Sequence, residues 1–371
     1  MGVSAAAADL RGSLDRVLYR TRHYALTAGL ALPRQLWSRI LSPRQAGLDP
    51  AALGLLQRRF EALLERDLDC VARGVYPREL LFQLPLLGYL RQLPAALADL
   101  PRFLWRSYTA SHQDLPSDID RGRYPRYYLR TFHWQTDGWF SERSARLYDG
   151  SVEFLFGGTA DIMRRMAIPP LVASLQAQAR ARILDVGCGT GRFLAQLQRA
   201  LPSARLYGVD LSAAYLEKAS ELLTAQGASL VNENAEALPF ADAHFDAASA
   251  VFLFHELPPD ARRRVARELW RVLRPGARLV LCDSAQLSDS AELADVLRSF
   301  PAAYHEPYYK SYLRDDLAGL LRECGFELES SEAHFVSKVV VARKPGRARA
   351  SRSAGASPEP EATAARDASA R

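Results

Sequence analysis

The 371-residue chain has no run of about eighteen uncharged apolar residues, so no membrane-spanning helix is expected. Its longest apolar stretch, 80–90, is broken by Gln83, Pro85 and Gly88. No secretory leader is expected, since no charged start, apolar centre and small-residue cleavage site follow one another. A myristoylation signal fails because Ala6 stands where Ser or Thr is wanted. Cysteine is scarce: Cys70, Cys188, Cys282 and Cys324 lie far apart with no C-x-x-C pair, which argues against a disulfide framework or a zinc site. A cytoplasmic protein with reduced thiols is expected. The composition, 48% hydrophobic and 24% charged, excludes a fully disordered chain.

Charge of one sign is also missing from most of the chain. The net charge is +6, but residues 1–46 hold seven Arg against Asp9 and Asp15, and residues 346–371 hold five Arg against three acids. The body between them is close to neutral, so no nucleic-acid partner is expected. The basic N-terminal region leaves peripheral contact with a membrane open, and an organelle-targeting role is disfavoured by its two Asp.

Residues 1–123 read as a helical N-terminal region without a catalytic pattern. Over 52–68, Leu53, Leu56, Phe60, Leu63, Leu64 and Leu68 recur three or four apart and predict an amphipathic helix. Pro85, Pro94 and Pro101 predict short helices or turns beyond it. Residues 124–180 form an aromatic cap or linker: ten aromatics fall in 124–156, with His133, Gln135 and Asp137 among them, against 9% in the whole chain. Such a block suits either an aromatic core or a ligand-facing cap. From 181 to 345 the pattern alternates. Strands are expected at 183–186, 206–209, 230–231, 245–254 and 278–282, and helices at 193–201, 213–226 and 259–273. A helix at 313–324 and a hairpin from 326–335 and 338–342 complete it. Alternating strands and helices imply an α/β, doubly wound, mostly parallel sheet. Residues 346–371, rich in Ala, Arg, Ser and Pro, read as a disordered tail.

The sharpest local signal is Ile183-Leu184-Asp185-Val186-Gly187-Cys188-Gly189-Thr190-Gly191. Glycines between a strand and a helix let backbone approach a ligand closely. A dinucleotide fingerprint would require glycine at 192, where Arg192 stands. The spacing is G-x-G-x-G with an acid, Asp185, just before it, which suits a cofactor bearing an amino group and positive charge. Asp210 ends the second strand, where an acid accepts both hydroxyls of a ribose.

With Gly208-Val209-Asp210-Leu211-Ser212, Asn234-Ala235-Glu236-Ala237-Leu238-Pro239-Phe240 and Glu268-Leu269-Trp270-Arg271-Val272-Leu273-Arg274-Pro275-Gly276, four motifs stand in order over 183–283. This segment resembles the class I S-adenosylmethionine-dependent methyltransferases, most of all the type 11, ubiquinone/menaquinone C-methyltransferase-like group. The resemblance implies a Rossmann-like seven-stranded sheet with an antiparallel last strand, and S-adenosyl-L-methionine as cofactor. It implies that Gly187, Gly189 and Gly191 pass beneath the cofactor, Asp185 near its amino-acid end. Asp210 would hold the ribose beside Leu211, with Asn234 and Ala235 at the adenine. Asn234 replaces the family's usual Asp but keeps a carbonyl acceptor.

Fold logic places the methyl acceptor beyond the strand ends. His255, directly after the fourth strand, is the expected general base, and Trp134, Trp139, His305 and Tyr308 are the expected substrate contacts. His255, Asp283, His305 and Glu306 match no compact ligand spacing, so no metal is expected. The expected activity is methyl transfer to a small-molecule acceptor, aromatic or quinone-like. The alternative is a non-catalytic cofactor-binding module presenting the helical region to a partner. Phe254-His255-Glu256-Leu257 stands where a nucleic-acid or protein methyltransferase carries Asn/Asp-Pro-Pro-aromatic, which argues against those substrates.

Overall fold

The computed structural model describes residues 2–41, 49–175, 178, 180–223 and 227–346. The tail expected from 346 onward therefore lies outside the described residues except for Gly346. Three long helices come first: α1 (Gly2–Leu41), α2 (Pro50–Ala72) and α3 (Leu86–Thr109). Asp49 caps α2 by accepting from the Ala51 amide, with Pro50 preset for the first helical position. Along α2 the buried face is Ala52, Phe60, Leu63, Leu64 and Leu68, whereas Leu53 is exposed.

The short helices expected from Pro94 and Pro101 are corrected: α3 is continuous through both. The two prolines are seven residues apart and so share one face. The carbonyls they cannot engage belong to Leu90 and Leu97, residues that are 62% and 58% exposed, on a face of α3 open to solvent.

Three shorter helices follow, α4 (Glu142–Leu155), α5 (Ala160–Arg165) and α6 (Ile168–Leu175). The sheet then begins: β1 (Arg182–Val186), α7 (Arg192–Ala200), β2 (Arg205–Asp210), α8 (Ala213–Leu223), β3 (Ser229–Asn232), β4 (Phe245–Val251), α9 (Pro259–Val272) and β5 (Leu273–Ser284). A helical insertion, α10 (Ala294–Tyr304) and α11 (Tyr309–Tyr312), precedes α12 (Leu317–Glu323), β6 (Glu327–His334) and β7 (Ser337–Arg343). The order is β3-β2-β1-β4-β5-β7-β6, with β1 to β5 parallel and β7 antiparallel to both β5 and β6. This is the doubly wound, seven-stranded Rossmann-like sheet with a helical N-terminal region.

Three boundaries differ from expectation for local reasons. The fourth strand stops at Val251 because Phe252 takes φ 55° and leaves the sheet plane. The fifth extends to Ser284 because it pairs with β7 through seven residues. The expected helix 313–324 starts only at Leu317, where Asp316 accepts from the Gly319 amide and opens a new helix.

One cluster of buried residues joins Tyr19 of α1, Leu63 and Leu64 of α2, Ile162 of α5 and Ile183 and Leu194 of the sheet layers. At its centre Arg165 donates from Nε to Asp67 at 2.8 Å, and the hydroxyls of Tyr19 and Tyr76 donate to the same carboxylate. His23 lies edge-on to Tyr19 at 4.5 Å, buried, with neither ring nitrogen hydrogen-bonded. Burial, then Arg165 and Arg22, push its pKa down to about 4. The folded chain keeps this ring neutral while the unfolded chain protonates it below about pH 6.5. Stability is therefore lost as pH falls from about 6.5 towards 4. Denaturant midpoints should show His23→Phe escaping a loss of about 2 kcal/mol that the parent suffers between pH 7 and 5.

Candidate active site

A cavity opens at the carboxyl ends of β1, β2 and β4. The loop after β1 carries Gly187, whose amide donates to the Val209 carbonyl at 2.7 Å, and Gly189, whose amide donates to Asp210 at 2.8 Å. Gly191 takes φ 76° and starts α7, and a Cβ there would lie 3.0 Å from Ala219 and Leu223. Only glycine combines that backbone with that contact. A Cβ on Gly189 would meet no protein atom within 4 Å, so the loop turns a bare backbone edge outward.

Asp185, Gly187, Gly189, Asp210, Leu211, Asn234, Ala235 and Trp139 all line this cavity. Gly191 stands behind it as a packing residue. Asp210 is held by the amides of Gly189 and Ser212, each at 2.8 Å, and burial raises its pKa. Asp185 is 1% exposed and accepts from the Ser249 hydroxyl at 2.8 Å; burial outweighs that bond and pushes it up to about 7. Asn234 spends its carbonyl on the Glu236 amide at 3.0 Å, so it first shapes its own turn.

The aromatic block stands over this cavity. Tyr127, Tyr128, Phe132, Trp139 and Tyr148 are on its wall. The block is tied to the glycine loop and α8: Thr190 donates to Asp149 at 2.9 Å, and the Ser212 hydroxyl donates to the Trp139 carbonyl. Trp134, His305 and Tyr308 do not line the cavity. Trp134 packs on His305 at 4.6 Å between ring centres, and Tyr308 backs Tyr127 and Phe132 at 6.2 and 6.3 Å.

His255 also lies behind the wall. Its Nδ1 meets Asp283 at 2.6 Å, and Asp283 is itself fixed by the amides of Phe254 and Ser284, each at 2.7 Å. Burial would lower this imidazole, but Asp283, Glu306 and Glu256 outweigh it and raise it to about 9. These carboxylates favour the charged form of the ring, which opposes a role as proton acceptor. The neighbour that does reach the cavity wall is Glu256. Its Oε1 lies 2.8 Å from His133 Nε2, and His133 Nδ1 lies 3.1 Å from Glu306. His133 was legible only as polar punctuation in an aromatic block. Its contacts at 256 and 306 cross more than a hundred residues, and no spacing rule reaches that far.

Arg192, the residue that breaks the dinucleotide spacing, donates to Asp161 of α5. Asp161 also pairs with Arg164 at 2.9 Å, and Arg164 faces Glu153 at 3.5 Å. Burial would raise Asp161, but Arg192 and Arg164 hold it down at about 2.

The glycine loop, the two strand-end acids and the sheet order are the arrangement expected of a class I, S-adenosylmethionine-dependent methyltransferase domain. A family model described as a methyltransferase domain matches residues 183–276. The chain is similar to the O-methyltransferase resE of Aspergillus sclerotiorum, 35% identical over 160 residues, 42% of this chain and 58% of that protein. It is also similar to the demethylmenaquinone methyltransferase of Deinococcus radiodurans, 37% identical over 113 residues, 30% of this chain and 46% of that protein. The chain thus spans about half the length of these curated relatives. A solved methyltransferase structure from Methanosarcina mazei aligns at 24% identity and TM-score 0.39, covering 48% of this chain and 98% of that one.

The residues present fit S-adenosylmethionine. An acid closes β2 where a ribose needs one, a bare glycine edge faces the cavity, and buried Asp185 is an acceptor suited to a cationic amine. Removing Arg192 would leave Asp161 buried with one counter-ion fewer. Arg192→Ala should cost about 3–5 kcal/mol in denaturant unfolding, far more than an exposed Arg.

Proposed function

We propose that the protein methylates a small aromatic or quinone-like acceptor, with the methyl group leaving S-adenosylmethionine and S-adenosylhomocysteine as the second product. The observation that carries this reading is the continuity of the cavity. Asp185, Gly187, Gly189 and Asp210 form one side, and Tyr127, Tyr128, Phe132, Trp139 and Tyr148 form the other. Flat aromatic walls with a few ionisable groups beside them, Glu256 and Asp149 among these, suit a planar acceptor that bears a hydroxyl or an acidic ring carbon. The relatives named above, one an O-methyltransferase and one a demethylmenaquinone methyltransferase, are compatible with either atom.

Bound S-adenosylmethionine supplies an activated methyl group; the chain's own residues supply placement. In this reading Asp210 accepts from the ribose hydroxyls and Asp185 pairs with the cofactor's amine. The aromatic wall stacks the acceptor in line, and orientation alone accounts for much of such an acceleration. The acceptor's proton leaves towards Glu256, with His133 and His255 behind it fixing its place.

Asp185 gives this reading a pH signature. Free, it titrates at about 7; beside a bound amine its charged form is favoured, so binding releases a proton below that pH. Calorimetry should show S-adenosylmethionine binding about tenfold tighter at pH 8 than at pH 6, and Asp185→Asn should abolish the difference. A pH-independent affinity would place the amine elsewhere.

The acceptor side is tested by release of S-adenosylhomocysteine across a panel of phenols and demethylated quinones. Turnover on at least one of them separates an enzyme from a non-catalytic binding module. Trp139→Leu should then raise acceptor KM about tenfold or more, equivalent to 1.4 kcal/mol, with cofactor affinity little changed. An unchanged KM would return Trp139 to the role of a core side chain.

A further inference from the structure

Behind the acceptor wall, two histidines and two glutamates from three separate parts of the chain converge. His133 comes from the aromatic block, His255 and Glu256 from the turn after β4, and Glu306 from the turn between α10 and α11. One donor atom from each of His133, Glu256 and Glu306 can be chosen so that all lie within 4.8 Å of one another. His133 Nε2 to Glu256 Oε1 is 2.8 Å, His133 Nδ1 to Glu306 Oε1 is 3.1 Å, His255 Nε2 to Glu256 Oε1 is 3.6 Å, and His255 Nε2 to Glu306 Oε2 is 3.9 Å. Ligands about 2.1 Å from a shared ion lie roughly 3.0 to 3.4 Å apart in octahedral or tetrahedral spheres. An imidazole gives one ion only one nitrogen, so the two His133 contacts do not share a sphere; the set of single donor atoms, within 4.8 Å of one another, is wider than that range and would draw in around an ion.

Three further features single this cluster out. Glu306 is 3% exposed, yet its Oε2, on the side of His255, has no hydrogen-bond partner, and Glu256 Oε2 is likewise buried and unpartnered. A buried carboxylate oxygen without a donor is costly unless a cation meets it. Composition points the same way: the carboxyl groups of Asp283, Glu256 and Glu306 outnumber the rings of His133 and His255. Asp283, fixed by two amides, holds His255 Nδ1 and thereby turns Nε2 towards the glutamates. That carboxylate–histidine arrangement is how proteins orient an imidazole towards a metal.

We propose that His133, His255, Glu256 and Glu306 bind one divalent first-row transition-metal ion, with Asp283 as the positioning residue. Mixed imidazole and carboxylate donors suit manganese, iron or zinc better than magnesium or calcium. His133 is held with φ 54°, and Trp134 and Asp137 beside it at 58° and 65°. Three non-glycine residues in this conformation within five positions are strain kept at one point, as at a built site. Because Glu256 is also on the cavity wall, the ion would stand next to the acceptor and its charge would favour the deprotonated hydroxyl. That last role rests on the methyl-transfer reading; the binding itself does not.

The test uses the full chain without a purification tag, stripped with a chelator and dialysed, and titrated separately with Mn2+ and Zn2+. Calorimetry, with mass-spectrometric metal analysis of the reloaded protein, should give one ion per chain for at least one of these metals. Glu306→Gln and His133→Gln should each weaken that binding at least tenfold while S-adenosylhomocysteine still binds, which certifies the fold of each variant. Glu306 is off the cavity wall, so its substitution does not touch the cofactor. Absence of stoichiometric binding by the parent chain overturns the proposal, and so does undiminished binding in a variant that retains S-adenosylhomocysteine. Turnover on the acceptor panel is a separate measurement: a chain that takes up neither ion yet releases S-adenosylhomocysteine overturns the metal site and leaves the methyl-transfer reading standing.

Discussion

Helix α5 is only six residues long, every one of them is buried, and three of them are charged. Placing Asp161, Arg164 and Arg165 in the interior is tolerable only because each finds a partner from a different part of the chain. Arg165 reaches Asp67 on α2; Asp161 takes Arg192 from the first helix of the sheet; Arg164 faces Glu153 on α4. Buried pairs add little net stability when intact but are expensive to break. They therefore act as a registration device. The N-terminal helices, the aromatic block and the glycine loop can pack together in one arrangement and in few others.

That registration has a chemical consequence. The helix that begins after Gly191 is anchored by Arg192 to α5, and the loop before it is anchored by Thr190 to Asp149 on α4. The two walls of the cavity, one made by the sheet and one by the aromatic block, are thus fixed at both ends. A cavity with rigid walls orients what it holds, and orientation is the main thing a methyl-transfer site needs to supply. The strained backbone at His133, Trp134 and Asp137 is affordable in this setting. Arg106 donates to the Trp134 carbonyl at 3.1 Å, and Thr136 donates to Asp99 at 2.7 Å, so the segment is held on both sides.

The sheet and the glycine loop at its edge were legible because their signals are local. Five parallel strands, the glycine loop and Asp210 are written in spacings of a few residues, where backbone geometry and side-chain alternation decide the outcome. Pro94 and Pro101 misled for a related reason: their cost is local, but whether water can satisfy the freed carbonyls depends on which face of α3 is covered. His255 was readable only in its position after β4; its surroundings are set by Glu256 next to it and by Asp283 and Glu306, 28 and 51 residues further along the chain.

The sequence alone determined the doubly wound sheet, the place of the glycine loop and Asp210 at the ends of β1 and β2, and the aromatic character of what stands above them. Only the tertiary structure decided which aromatics face the cavity and which, like Trp134, back them. It alone brought His133 to Glu256 and Glu306, at 2.8 and 3.1 Å. Periodicity and spacing report forces that act along a few turns of chain. Burial of charge, orientation of an imidazole and the gathering of donor atoms depend on segments that meet only after folding, and the chain carries no short-range mark of them.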